Sequence, residues 1–222
     1  MVRAPTRLLA AATVAAGLLY LALFVRALEA GSAAWEQDLV EWLYWHSERS
    51  QVAMDRLLRL GERGGPVLVV FLVLALFAAR RRSASVLLLV GAGGAALLGQ
   101  AAQAATGLLS SDAGDFPSGQ ATASAGLVAA SVLLLIDRPR RRLILLAAIA
   151  SVGLYGLMLL ATNWHSPSEV AGGWFLALAW VSGVWLVARN IFGTRRLSRA
   201  PTRELRRAGW DSRQQRGLEP RA

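Results

Sequence analysis

The chain has no cysteine and only two histidines, His46 and His165. Without cysteine there is no disulfide framework, no thiolate nucleophile and no thiolate metal site. Two histidines do not make a histidine-rich metal cluster. His46 has no second ligand at metal spacing nearby and reads as a surface residue of a helix. Neither a metal nor a cofactor is expected. Lysine is missing too, since all 24 basic residues are arginine, a usage without functional meaning of its own.

Also scarce is charge within the apolar stretches. A soluble chain with 55% hydrophobic and 17% charged residues would interleave its charges along amphipathic helices. Here long uncharged runs alternate with short knots of arginine. The net charge of +10 sits mostly in loops and a tail flanking those runs. Membrane lipids, with anionic headgroups at the basic tail, are therefore the expected partners, and nucleic acid is not.

A helix crossing the hydrocarbon needs roughly 20 apolar residues, since each residue rises about 1.5 Å through a core about 30 Å thick. Six stretches come close, at about 8–27, 65–79, 84–106, 119–136, 143–162 and 168–188. The expected fold is all-α, a polytopic six-helix transmembrane bundle. The first stretch follows Arg3 and Arg7 and has a small-residue region at 30–34 like a signal-peptide cleavage site. Its apolar run is long for such a peptide, and retaining it completes an even-numbered bundle. Arginine recurs at Arg80, Arg81 and Arg82, at Arg138, Arg140, Arg141 and Arg142, and through a tail from Arg189 to Arg221. All three groups fall on one face, which the positive-inside rule makes cytoplasmic. The expectation is an integral protein of the bacterial plasma (inner) membrane with both termini cytoplasmic. Connections 28–64, 107–118 and 163–167 then lie outside.

The first outer connection carries Trp35, Leu39, Trp42 and Leu43, and later Val52, Leu57 and Leu58, at helical spacing beside Glu36, Asp38, Glu41 and Glu48. It reads as one or two interfacial amphipathic helices, pinned at headgroup level by Trp35, Trp42 and Trp45 or packed on the top of the bundle. The third stretch carries Gly91, Gly93, Gly94 and Gly99 among alanines, as befits a central helix approached closely by its neighbours. Beyond Arg195 the tail is charged, includes Pro201 and Pro220, and lacks an apolar face, which predicts disorder or surface association. The domains are thus 1–34, the first span and its flanks; 35–188, the membrane domain; and 189–222, an Arg-rich cytoplasmic tail. No charge near the middle of a span marks an ion path.

Two outer segments stand out, Phe116-Pro117-Ser118-Gly119-Gln120 and Trp164-His165-Ser166-Pro167-Ser168-Glu169. Each opens a helix, where free backbone N–H groups and the positive dipole end favour an anion such as phosphate. The plainer reading is capping. Ser166 suits an N-cap with Pro167 at the first helical position and Glu169 reaching back, and Ser118 suits a cap for the helix after it.

In order and location these segments resemble the type 2 phosphatidic acid phosphatase superfamily of membrane lipid phosphatases, over roughly residues 35–188. That family reads KxxxxxxRP, PSGH and SRxxxxxHxxxD in six-span proteins, with the motifs clustered on the extracytoplasmic side. The resemblance places the nucleophilic histidine on His165 and its orienting aspartate on Glu169. A carboxylate one turn on can fix the ring's tautomer and stabilise its positive charge. Amides of Ser118, Gly119 and Gln120 are the implied phosphate contacts. Other positions depart from the pattern. Gln120 stands where the general-acid histidine belongs, Leu159 replaces one arginine, and Gln103, Ser110 and Ser111 fall on the first motif's cationic segment. A lost general acid costs about 10²–10⁴ in rate, and each lost phosphate clamp a comparable factor. Asp112 and Asp115 add negative charge to the same loop. Rescue would need Arg26, Arg49, Arg56, Arg59 or Arg63 from the first outer connection.

The leading expectation is a phosphatase-like membrane protein that binds a phospholipid or polyprenyl-phosphate headgroup with weak or no hydrolysis. The alternatives are an active phosphatase with a rearranged site using His165, and a non-catalytic membrane scaffold with a basic tail that binds lipid or a partner.

Overall fold

The structure is a computed structural model that describes residues 6–110, 113–135 and 139–192. By its contacts the chain divides into Met1–Ala188, which carries the apolar helices, and Arg189–Ala222. The expected tail beyond residue 192 and the Arg138 position lie outside the described residues.

Every regular element among the described residues is helical. In order they are α1 (Thr6–Ala30), α2 (Ala34–His46), a 3₁₀ turn (Glu48–Ser50), α3 (Gln51–Ala78), α4 (Arg82–Leu88), a π-helical segment (Leu89–Gly93), α5 (Gly94–Leu109), α6 (Gly119–Leu135), α7 (Arg141–Ala161) and α8 (Pro167–Phe192). Five stretches are long and apolar enough to cross a membrane: Thr6–Ala30, Glu48–Ala78, Arg82–Leu109, Arg141–Ala161 and Pro167–Asn190. Gly119–Leu135 is a shorter apolar helix. Large apolar side chains lie exposed on the outside, among them Leu18 and Leu21 on α1, Phe71 and Leu74 on α3, and Ile149 and Leu154 on α7. Water would penalise such a surface, whereas hydrocarbon matches it.

One expectation is corrected. The second helical piece of the 28–64 connection is not a separate interfacial helix. It is the first half of α3, which runs unbroken through Pro66. Proline forfeits one backbone hydrogen bond in a helix interior, a loss that long apolar helices tolerate. Leu58, on that first half, is fully buried against Leu159 and Val170, and this packing holds the segment in line with the span below it.

Small residues hold the interior together. An added Cβ at Gly126 on α6 would lie 2.5 Å from the Ala95 Cβ on α5, and one at Gly99 would lie 2.8 Å from the Thr122 Cβ. Helix axes approach closely only where side chains are this small, and dispersion then replaces the hydrophobic drive that lipid cannot supply. Around this seam Leu88, Ala92, Ala95, Ala130 and Val181 form one core cluster. The Arg82–Leu109 stretch is the most buried of the five, as its glycines lead one to expect of a central helix. Within it the Val90 carbonyl of the π segment accepts the indole N–H of Trp180 on α8 at 2.9 Å, besides the backbone N–H of Gly94. Gly94 makes room for that ring, since a Cβ there would stand 2.7 Å from its nitrogen.

Two helix ends use the left-handed region. Arg80 (φ 57°) follows α3, with its N–H on the Phe77 carbonyl and the Arg81 N–H on the Leu76 carbonyl. Asn163 (φ 55°) follows α7 with the same paired bonds, its N–H to Leu160 and the Trp164 N–H to Leu159. This Schellman pairing satisfies carbonyls that the helix end would otherwise leave open.

Gly126→Val drives a branched side chain into Ala95 and should cost about 1–3 kcal/mol, as overpacking does. Thermal unfolding of purified protein in detergent should show a lowered midpoint for it. Gly17→Ala, with nothing within 4 Å of its added Cβ, should leave the midpoint unchanged.

Candidate functional site

The turn at Asn163 decides where the second motif segment goes. It reverses α7 so that Trp164 packs beside Leu159, and the chain then passes through His165 into the cap of α8. Ser166 and Glu169 close that cap on each other. The Ser166 N–H donates to Glu169 Oε2 at 3.0 Å, and the Glu169 N–H donates to Ser166 Oγ at 3.4 Å. The capping reading is therefore correct as local structure.

Glu169 does more than cap. Its Oε2 lies 3.0 Å from His165 Nδ1, with both side chains only 9% exposed. An ionised carboxylate can only accept, so Nδ1 carries a proton toward it, and in the neutral ring the lone pair is then on Nε2. The other oxygen, Oε1, accepts the backbone N–H of Asp115 at 3.2 Å. Gly114 permits this approach, because it has φ +60° and an added Cβ would stand 2.8 Å from Oε1. Below, the Ser118 N–H donates to the Glu169 carbonyl at 3.0 Å, and the buried Phe116 ring fills the space left by Gly172. Phe116 also packs with Tyr20 and Phe24 of α1. The loop before α6 is thereby fixed between α1 and α8.

Sequence reasoning missed a second buried carboxylate. Glu36 of α2 is 1% exposed and takes both guanidinium nitrogens of Arg26 at 3.2 Å each. Its Oε2 also accepts the Ala33 N–H at 2.9 Å and the Ser168 hydroxyl at 3.2 Å. Arg26 on α1, Glu36 on α2 and Ser168 on α8 form one brace behind the site. The local signal was Glu36 in the first turn of a helix, where an acid is common. Nothing along the chain pairs it with Arg26 or Ser168.

His165 and Glu169 open on a cavity of about 590 Å³. Its acidic groups are Glu36, Glu41, Asp115 and Glu169, and Tyr44, Trp45 and Trp164 give it an aromatic wall. Among the described residues no arginine lines it. The rescue candidates are spent or elsewhere. Arg26 is held by Glu36, and Arg59 by Asp55 at 2.9 Å. Arg56 faces a smaller neighbouring cavity of about 320 Å³, and Arg49 and Arg63 are exposed.

The remaining motif positions fall in other surroundings. Ser118, Gly119 and Gln120 do not line the cavity. Ser118 is fully buried and its hydroxyl accepts the Ala121 N–H at 3.2 Å, so it caps α6. Gln120 has a buried Oε1 with no partner among the described residues. Gln103 reaches Gly119, its Oε1 standing 3.2 Å from where a Cβ would be. Ser110 ends α5 in extended backbone, while Ser111 and Asp112 lie outside the described residues. Leu159 is fully buried with Leu58, Ala121 and Val170, and its carbonyl holds the Trp164 N–H. His46 is a surface residue whose ring lies tilted against Trp42, and its Nδ1 meets the Trp42 carbonyl at 2.7 Å. Among the described residues no group of three or more His, Asp or Glu side chains is placed to hold a metal ion.

Residues 96–192, from α5 to the end of α8, match the family model of the PAP2 superfamily. No curated protein and no solved structure matches the chain.

Glu36→Ala leaves Arg26 without its partner and removes two further hydrogen bonds, those from the Ala33 N–H and the Ser168 hydroxyl. Breaking a buried pair costs about 3–5 kcal/mol, and with Arg26 one-third exposed a loss of about 2–3 kcal/mol is expected. Thermal unfolding followed by tryptophan fluorescence checks it, with Glu41→Ala, on the exposed side of the same helix, expected to sit within about 0.5 kcal/mol of the parent.

Proposed function

This chain is a member of the type 2 phosphatidic acid phosphatase superfamily, matched over residues 96–192, and from that premise we propose that it holds a phospholipid headgroup without hydrolysing it. In this reading it is a six-span protein. α6 counts as the remaining span because its 17 residues reach about 25 Å, close to the hydrocarbon thickness. The arginine groups lie in the cytoplasm, the His165 cavity opens on the other side, and α2 lies in the interface with Trp35, Trp42 and Trp45 toward the headgroups.

The observation that carries the loss of hydrolysis is the charge of the cavity: among the described residues, four carboxylates and no arginine. Phosphoryl transfer needs cations where charge develops on the phosphoryl oxygens. Here a phosphate about 6 Å from a carboxylate is repelled by roughly 2–3 kcal/mol per charge pair at an effective dielectric near 20. Gln120 has no titratable proton to transfer to a leaving oxygen, and the Ser118 N–H already serves the Glu169 carbonyl. What survives is the His165–Glu169 pair, with Nε2 available as a nucleophile. That pair is the one observation favouring the second reading, an active phosphatase with a rearranged site. The third reading, a scaffold acting through the basic tail, concerns residues beyond those described.

Purified protein should release no phosphate from phosphatidic acid or polyprenyl diphosphate above a preparation lacking it, and His165→Ala should change nothing. Gln120→His combined with Leu159→Arg should fail to restore turnover. Phosphate release that His165→Ala abolishes would instead establish the second reading.

A further inference from the structure

We propose that the cavity beside His165 recognises an ammonium group, so that a phospholipid is selected by the cationic end of its headgroup rather than by its phosphate. This rests on the reading that the site binds a headgroup without hydrolysis. Two of the four carboxylates are satisfied within the protein, Glu36 by Arg26 and Ser168 and Glu169 by His165, Ser166 and Asp115. Glu41 and Asp115 are exposed at the same cavity and form no ion pair among the described residues. Their charge is left for a ligand to meet.

The wall between these carboxylates is aromatic. Tyr44 and Trp45 stand edge to face at 6.0 Å, and Trp164 lines the cavity beside His165. Ring faces attract cations through their quadrupole, most strongly for tryptophan. The protein already uses this wall in that way: the Arg59 guanidinium lies 5.2 Å from the centre of the Trp164 ring while Asp55 holds its Nε at 2.9 Å. The cavity lining brings the same two kinds of group together, the rings of Trp45 and Tyr44 and the carboxylates of Glu41 and Asp115, without an internal cation among the described residues. The volume of about 590 Å³ suits a small polar head, within the roughly 300–1,000 Å³ of ordinary ligand sites. In a zwitterionic lipid the ammonium enters, and the phosphate is kept at the mouth by the carboxylates that draw the ammonium in. This also keeps phosphorus away from His165 Nε2.

The test is calorimetric titration of the full chain in detergent with four probes: tetramethylammonium chloride, dihexanoyl phosphocholine, dihexanoyl phosphatidic acid and inorganic phosphate. The two ammonium probes should bind saturably and the two phosphate-only probes should not. Glu41→Gln with Asp115→Asn, and separately Trp45→Ala, should each weaken ammonium binding about tenfold. All three side chains are exposed, so folding is not at stake. Tighter binding of phosphocholine than of tetramethylammonium assigns the ligand to a lipid, and equal binding assigns it to a soluble ammonium. The proposal is overturned if neither ammonium probe binds, if binding survives both variants unchanged, or if inorganic phosphate competes. Phosphate release measured on the same preparation separates the two readings. Release overturns the proposed function, whereas silence in both assays overturns only the ammonium proposal.

Discussion

The carboxylate of Glu169 is the point on which the outer end of the bundle depends. One oxygen takes the amide that opens α8 and the histidine ring one turn back, and the other takes an amide from the loop before α6. A buried carboxylate left short of donors would be costly, and its donors must stand close to where they are. That requirement makes Gly114 necessary and stops the loop from drifting away from α8. It also holds the histidine ring by Nδ1 where His165 lines the cavity.

The second carboxylate, Glu36, repeats the arrangement one layer out, with α1 and α2 in place of the loop. Together the two acids tie α1, α2, the loop and α8 to one another by charged hydrogen bonds. These bonds are shielded from bulk water and so are stronger than their surface counterparts. The same acids give the cavity its sign. In the function proposed above, the architecture that secures the histidine is also what sets the cavity against an anionic substrate.

Much of the fold was legible because it is written locally. Hydropathy placed the six apolar stretches on helical segments, with ends that differ by a few residues from those observed and with one stretch, 84–106, running over α4, the π segment and α5; the glycines of 91–99 marked the central one, and Ser166 with Glu169 spelled out a cap. The His165–Glu169 pair was readable for a related reason, since the Glu169 side chain that reaches back to the Ser166 cap also reaches the residue just before it. What the sequence hid depends on contacts between distant segments. The continuity of α3 through Pro66 rests on Leu58 finding Leu159, a residue far along the chain on α7. Arg26 looked like a spare cation until Glu36 folded over it. The acidity of the cavity is a sum over α2, the loop and α8, and no single segment carries it. Family membership was recoverable from motif order, but the environment of each replaced position was not. Leu159 illustrates this, sitting in an apolar core rather than at the mouth of the site.

The π segment at Leu89–Gly93 has a further effect on how α5 is phased. A π turn holds one more residue than the α-helix around it, and one residue corresponds to about 100° of rotation at 3.6 residues per turn. α4 and α5 are therefore one rod in length but two helices in azimuth. With that extra residue between them, Leu88 of α4 and Ala95 of α5 both reach the same core cluster, and Gly99 follows Ala95 onto α6. The chain length between residues 88 and 94 acts as a rotational setting for everything that follows. Single-residue insertions or deletions there turn α5 about its axis and carry its glycine seam away from α6, although every side chain of that seam is unchanged.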